Sequence, residues 1–425
     1  MTYQYDILII GSGPGGYKAA VTSAMFGVKV CLIEKDELGG ICVNRGCIPT
    51  KAIIHSAVLY NKVKNCSKYG IRANEISLNY SALVANAKNV VSNIQKGMEQ
   101  VLRAYKIDLI KGTAKIKSEN IVSVDDKEIS AKNIIIATGS RPKELKGFAF
   151  DNEKYFSSEK FLDISEMPKS VLIVGGGVIG CEWAGIFASM GISVEIVEAK
   201  DKILPEEDSD LSRIVEQGLK RLGVEIKLNT YLEKTDKEKV IVSVGRDPVS
   251  AGMDISEKDQ FGWVKVNEYL ATNIPNIYAV GDVIGQPLLA YAAEREGKVA
   301  ACNAFGRKNK IGYEFMPRVV FSQPELASVG FREREIEDAG VVRAYFKGLG
   351  KALADDEAEG LVKIIYDKSS HKLLGVGIAG KNASDLINEP ALALRFGLTI
   401  EQWEEKIWPH PVLSEIFGAA LEKVK

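Results

Sequence analysis

Tyr5-Asp6-Ile7-Leu8-Ile9-Ile10-Gly11-Ser12-Gly13-Pro14-Gly15-Gly16 is a short apolar run closed by a glycine cluster, and a segment with small residues at Ala19, Ala20 and Ala24 comes next. The apolar run predicts a buried parallel strand, and the small-residue segment predicts a helix. A second strand, Val28 to Ile33, ends in Glu34. The same order returns later in the chain. Strand Ser170 to Val174 leads into Gly175-x-Gly177-x-x-Gly180, then a helix, then strand Ser193 to Val197, ending in Glu198. In both copies the acid lies 23 residues after the first glycine. Each part has a task. Gly11 and Gly175 make a tight turn, Gly13 and Gly177 let the backbone approach a pyrophosphate, and Gly16 and Gly180 let helix and strand pack closely. The acid accepts hydrogen bonds from a ribose diol. One glycine-rich turn arises for many structural reasons. Two copies with strand, helix and acid in equal order predict two dinucleotide-binding units.

Two such units predict two dinucleotides, and a hydride donor needs an acceptor, so the expected pair is FAD with NAD(P). A carboxylate at Glu198 would repel a 2′-phosphate and favours NAD, with Lys200 and Lys202 close by pulling the other way.

A chain of 425 residues exceeds one ordinary core and predicts two to four domains. The net charge of −1 gives no bulk attraction to nucleic acid or membrane, and neither is expected as a partner. No run reaches the 18 or so apolar residues of a membrane span, and the N-terminus lacks a basic segment. The expected location is therefore cytoplasmic, or an organelle matrix where a transit peptide has been removed. Mixed Lys/Glu stretches such as Glu401 to Lys406 read as solvated surface.

Six cysteines in a long chain do not make a disulfide framework, and no His/Cys cluster has zinc spacing, so no metal is expected. Cys31 and Cys181 lie in apolar contexts and read as inert core. Cys42 and Cys47 stand in Gly39-Gly40-Ile41-Cys42-Val43-Asn44-Arg45-Gly46-Cys47-Ile48-Pro49-Thr50-Lys51. On a regular helix, cysteines five apart sit about 140° out of alignment. Bridging them needs an irregular first turn, which Gly46 and Pro49 favour. A bare pair at this spacing reads as two reduced thiols packing a helix start; the alternative is a thiol–disulfide exchange site, suited to a helix N-terminus.

The flanks decide between these. Gly-Gly-x-Cys-x-Asn-x-Gly-Cys-Ile-Pro-x-Lys resembles the active-site signature of the pyridine nucleotide–disulfide oxidoreductases, and the Cys-Ile-Pro-Thr-Lys ending is most like the branch that oxidises dihydrolipoamide. The resemblance covers nearly the whole chain. Ala137-Thr138-Gly139-Ser140 is similar to the segment where the chain leaves the FAD domain, and Asn276 to Asp282 to the segment where it returns, with Asp282 on the flavin's ribityl chain. It implies that Cys42 exchanges with substrate and that Cys47 faces the flavin, in charge-transfer contact as the thiolate. Lys51 would lie near the flavin and pair with Glu182. Trp408-Pro409-His410-Pro411-Val412-Leu413-Ser414-Glu415 resembles the family's catalytic His-Pro-x-x-x-Glu, with His410 moving the proton and Glu415 orienting the ring.

The implied fold class is α/β: two Rossmann-like dinucleotide-binding domains and a C-terminal α+β dimerisation domain. Residues 1–145 and 272–312 would bind FAD, 146–271 NAD, and 313–425 would dimerise. The implied reaction is oxidation of dihydrolipoamide with NAD⁺ by a homodimer whose His410 reaches the other subunit's cysteines. Its partner would be the lipoyl-bearing subunit of a 2-oxo acid dehydrogenase complex or of the glycine-cleavage system. A glutathione-type or mercuric reductase, and a non-catalytic FAD-binding subunit, are the rival readings. Three departures stand out. Only the polar stretch Asn229 to Lys239 fills the place of the family's β-meander, Asp247 stands where a second basic residue is common, and Phe321 and Gln323 replace the commoner Tyr and His.

Overall fold

Residues 2–164, 166–285 and 287–424 are described in the computed structural model; Met1 and Lys425, the outer ends of the first and last expected domains, lie outside them. The opening motif folds as β1 (Tyr5–Ile10), α1 (Pro14–Ala24) and β2 (Val30–Glu34), the second strand starting two residues later than its apolar pattern. Next come α2 (Gly40–Asn44), α3 (Cys47–Lys64), α4 (Tyr80–Ala104), β3 (Asp108–Lys111), β4 (Ala114–Ser118), β5 (Ile121–Val124) and β6 (Lys127–Ile136). The sheet order is β3-β2-β1-β6-β5-β4, with β1, β2, β3 and the end of β6 parallel. Ile7, Leu8 and Ile9 have no exposed surface, because β1 lies between β2 and β6 with apolar layers on both faces.

A short strand, β7 (Ser140–Pro142), leaves this unit, and β8 (Tyr155–Ser157), β9 (Ser170–Val174), α5 (Val178–Ser189), β10 (Ser193–Val197), α6 (Ser209–Arg221), β11 (Glu225–Lys227) and β12 (Lys239–Val242) build the second. Its sheet is parallel throughout, in the order β11-β10-β9-β12-β8. No strand forms between Lys227 and Lys239. The face left by the shortening still needs an apolar cover. Leu145, Phe150, Tyr155 and Leu232 supply it, against Leu172, Val174, Val197, Val240 and Val242.

The chain returns through β13 (Arg246–Pro248), antiparallel to β7, then β14 (Ile277–Ala279) beside β6, and α7 (Ala290–Ala304). Residues of α3 and α4 share one core with α5, α6 and the second sheet, so the helix that starts at Cys47 packs against both units.

The C-terminal unit runs β15 (Arg318–Val320), β16 (Leu326–Gly330), β17 (Gly340–Tyr345), α8 (Gly350–Ala354), β18 (Gly360–Tyr366), β19 (Leu373–Gly380), α9 (Ala383–Leu386), α10 (Asn388–Arg395), α11 (Ile400–Glu404) and α12 (Glu415–Leu421). Its sheet is antiparallel, β15-β16-β19-β18-β17. The helical stretch Ala383 to Phe396 is broken at Ile387. Pro390 has no N–H for the Leu386 carbonyl and its ring would strike it, so the helix restarts as α10. Lys363 is buried and meets Asp208 at 3.1 Å, Asp210 at 2.5 Å and Glu333 at 2.8 Å, tying this sheet to the start of α6. Among the described residues no helix is long and apolar enough to cross a membrane.

Candidate active site

The cysteine turn is built from two helices offset against each other. α2 ends at Asn44, Arg45 and Gly46 leave the helical path, and Cys47 begins α3. Gly46 sits at φ −119° and ψ −113°, outside the helical region, and this break brings the two thiols into hydrogen-bond contact. The Asn44 amide fastens the turn by donating to the Gly40 and Leu38 carbonyls at 2.8 and 3.1 Å, while Gln95 of α4 donates to its oxygen at 2.7 Å. Both cysteines are in the dithiol form.

The pair is asymmetric. Cys47 is lowered to about 7, first by the hydrogen bond from Cys42 and then by the Lys51 ammonium. Cys42 is pushed up, because it keeps its proton in that bond and is partly buried. Lys51 Nζ stands 2.9 and 3.1 Å from the two oxygens of buried Glu182 on α5. The Phe321 ring lies 4.2 Å from the same ammonium, and the Phe321 N–H donates to Glu182 Oε1 at 3.1 Å. The departure from Tyr thus keeps an aromatic face on Lys51. Gln323 also holds its place, accepting from Ser189 Oγ at 3.0 Å. Cys31 and Cys181 are fully buried and both thiols are pushed up by burial, Cys31 to about 12.

The first glycine turn has room for a bound dinucleotide. Gly11 adopts φ +101°, and a Cβ there would stand 2.3 Å from the Ala137 carbonyl oxygen. One at Gly16 would lie 1.9 Å from the Gly11 carbonyl oxygen, whereas one at Gly13 would meet nothing within 4 Å. Glu34 is buried and already oriented: the Ser12 N–H and hydroxyl donate to it at 2.8 and 2.7 Å, and the Asp36 N–H at 2.8 Å. Thr138 carries a buried hydroxyl oxygen with no partner among the described residues, between Ala137 and Gly139. A polar atom kept in that condition fits a group supplied by a ligand. Asp282 accepts from Ser140 Oγ at 2.5 Å, Arg246 Nε donates to that hydroxyl at 2.6 Å, and Arg246 also pairs with Glu159 at 2.8 Å.

The second turn repeats the first. Gly175 adopts φ +102°, Gly180 would place a Cβ 1.9 Å from the Gly175 carbonyl oxygen, and Gly177 faces open space. Buried Glu198 accepts from the Gly176 N–H at 2.6 Å and the Lys200 N–H at 2.8 Å. The neighbouring lysines have partners of their own. Lys200 pairs with Glu206 at 3.3 Å, and Lys202 donates to the Glu207 carbonyl at 2.5 Å.

His410 lies on an irregular segment before α12 and is 77% exposed. Its Nδ1 is 2.8 Å from Glu415 Oε1, and the Val412 N–H donates to Glu415 Oε2 at 2.8 Å. Those two bonds, His410 first, hold the Glu415 carboxyl below its ordinary value. Among the described residues no hydrogen bond joins His410 to Cys42 or Cys47 within one chain.

The structure therefore brings Cys42, Cys47, Lys51 and Glu182 together, gathers Gly11, Gly13, Gly16 and Glu34 at one turn and Gly175, Gly177, Gly180 and Glu198 at the other, and pairs His410 with Glu415. Sequence reasoning assigned no role to Ser12, Ser140 or Arg246, although the first is the hydroxyl inside the glycine turn. Glu159, from a short 3₁₀ segment, had no signal at all.

Residues 5–297 match the family model described as pyridine nucleotide-disulphide oxidoreductase, and residues 316–421 match the dimerisation domain of that family. The chain is 38% identical to a dihydrolipoyl dehydrogenase of Bacillus subtilis, with 98% of this chain and 97% of that one covered. It is 36% identical to a dihydrolipoyl dehydrogenase of Chlamydia pneumoniae, covering 98% and 96%. Among solved structures, the HOCl-induced flavoprotein disulfide reductase RclA from Escherichia coli superimposes with a TM-score of 0.89 at 27% identity, covering 99% of this chain and 100% of that one.

Proposed function

The chain belongs to the pyridine nucleotide-disulphide oxidoreductase family, and we propose that it is an FAD-dependent enzyme that oxidises dihydrolipoamide with NAD⁺, giving lipoamide, NADH and a proton. One observation carries this reading: a cysteine pair at a helix start in which Cys47 alone is acidified, beside the ion pair of Lys51 with buried Glu182.

The asymmetry sets the direction of exchange. In the oxidised enzyme a substrate thiolate attacks the Cys42 sulfur, the Cys42–Cys47 bond breaks, and Cys47 leaves as the thiolate that Lys51 stabilises. His410 Nε2 takes the proton of the second substrate thiol, which then attacks the mixed disulfide, so that lipoamide departs and Cys42 leaves as a thiolate that takes up a proton. Glu415 holds Nδ1–H and fixes the tautomer that leaves Nε2 free to accept. Bound FAD supplies the two-electron carrier between Cys47 and the nicotinamide. Its holders would be the Gly11–Gly16 turn, Glu34 on a ribose, the Thr138 hydroxyl, and Asp282 with Ser140. NAD⁺ would lie on the second turn, with Glu198 on its ribose.

The C-terminal unit leaves Leu392, Phe396 and Ile407 60%, 74% and 91% exposed, close in sequence to His410. In a segment that matches a dimerisation domain, such an apolar surface supports burial against a second copy. His410 then serves the partner's cysteine pair, and the lipoyl group arrives on a carrier subunit. Steady-state turnover tests the substrate: NAD⁺-dependent oxidation of dihydrolipoamide is expected, with glutathione disulfide and NADPH inert. Turnover of the second pair alone would overturn the assignment.

A further inference from the structure

His410 stands on a stretch, residues 405–414, with neither helix nor strand, yet a proton-transferring ring must meet its thiol within a few tenths of an ångström. Glu415 fixes the rotation of the ring. What fixes the backbone that carries it is a second carboxylate. Glu389, in the first turn of α10, accepts from Trp403 Nε1 at 2.9 Å and from Trp408 Nε1 at 3.2 Å on the same oxygen. Its other oxygen pairs with Lys406 Nζ at 2.6 Å, and that ammonium lies 5.1 Å from the Trp408 ring.

Both indoles are also set against α12, the helix that begins with Glu415. Trp403 is buried, with its ring 5.1 Å from that of Phe417. Trp408 covers Gly418 so closely that a Cβ there would stand 3.0 Å from the ring. One carboxylate thus joins α10, α11 and the residue two before His410 to the helix that presents Glu415. An indole N–H bound to a charged acceptor is a strong, directional restraint, and two on one oxygen fix each other.

We propose that Glu389 is the positioning residue for His410, acting through Trp408 to set where the imidazole meets the cysteine pair of a second subunit. The proposal rests on the acid–base role given to His410 above. Four variants of the holoenzyme, Glu389→Gln, Glu389→Leu, Trp408→Phe and His410→Gln, separate the two claims, with NADH-dependent ferricyanide reduction as a readout that needs no thiol proton transfer. Glu389→Leu and Trp408→Phe are expected to lower kcat for dihydrolipoamide about tenfold, with KM for NAD⁺ and ferricyanide reduction unchanged. Glu389→Gln is expected to retain most of the kcat, because its amide oxygen still accepts both indoles. Wild-type kcat in both Glu389→Leu and Trp408→Phe would overturn the proposal, as would an equal fall in ferricyanide reduction, the mark of a merely structural role. A loss in His410→Gln with none in Glu389→Leu or Trp408→Phe would sink this proposal alone, whereas full turnover in His410→Gln would sink the role of His410 itself.

Discussion

The two dinucleotide units carry the same turn and differ in the segments the chain adds beyond it. Gly11 and Gly175 adopt φ +101° and +102°, and Gly16 and Gly180 each would place a Cβ 1.9 Å from the carbonyl of the opening glycine. Glu34 and Glu198 both accept a backbone N–H from the residue after that glycine. After β2, however, the first unit inserts α2, α3 and α4, and with them the cysteines, whereas after β10 the second has α6 before β11. Close backbone packing fixes the turn and is indifferent to chemistry. The inserted segment decides which unit holds the reacting sulfurs, and the second unit adds Glu182 from its first helix.

The largest effect should come from what only the first unit owns. Cys47→Ser is expected to lower dihydrolipoamide turnover by at least about 10⁴-fold, the scale of losing one member of a catalytic unit, while flavin stays bound. Loss of the flavin as well would blur the separation of turn from insert.

Valine at the third glycine of each turn comes next. Gly16→Val should yield protein without flavin, while Gly180→Val should keep flavin and lose NAD⁺. An overlap of this kind costs about 3 kcal/mol, more than a hundredfold in affinity. Absorbance of the purified proteins and NAD⁺ titration check both. If Gly180→Val also strips the flavin, the units are not independent.

The Lys51–Glu182 pair links the units, and pH reads that link. Since Cys47 is lowered to about 7, the reduced enzyme carries its thiolate above that pH and loses it as pH falls through it. Thiolate ultraviolet absorbance should track that curve. In Lys51→Met the midpoint should rise by about one pH unit, because an attractive positive charge is gone. An unmoved midpoint would assign the acidity to the Cys42 hydrogen bond alone. The smallest effect is expected at Glu198→Gln, where one charged hydrogen bond to a ribose weakens by about 1 kcal/mol, a fivefold rise in KM for NAD⁺.

Both glycine turns were legible because local rules suffice: β1 and β9 run Tyr5–Ile10 and Ser170–Val174, the apolar runs bounded by glycine. Features set by distant partners were not. Lys363 reads as one polar residue in an apolar strand, and its burial depends on Asp208, Asp210 and Glu333. Glu401 to Lys406 reads as solvated surface, yet Trp403 within it is buried and Lys406 pairs with Glu389. For the site, spacing predicted that Cys42 and Cys47 need a broken helix but not which thiol would be acidified. That depends on Lys51 and the direction of one hydrogen bond.

The proposed reaction requires the cysteine helix of the first unit and the shortened second unit to work as one relay. It is tested by adding dihydrolipoamide to the anaerobic holoenzyme and then NAD⁺, counting thiols and NADH. Two new thiols per subunit are predicted after the first addition and one NADH after the second, with the thiols consumed. Two thiols that persist with no NADH would contradict the relay, leaving disulfide chemistry intact and the second unit disconnected from it.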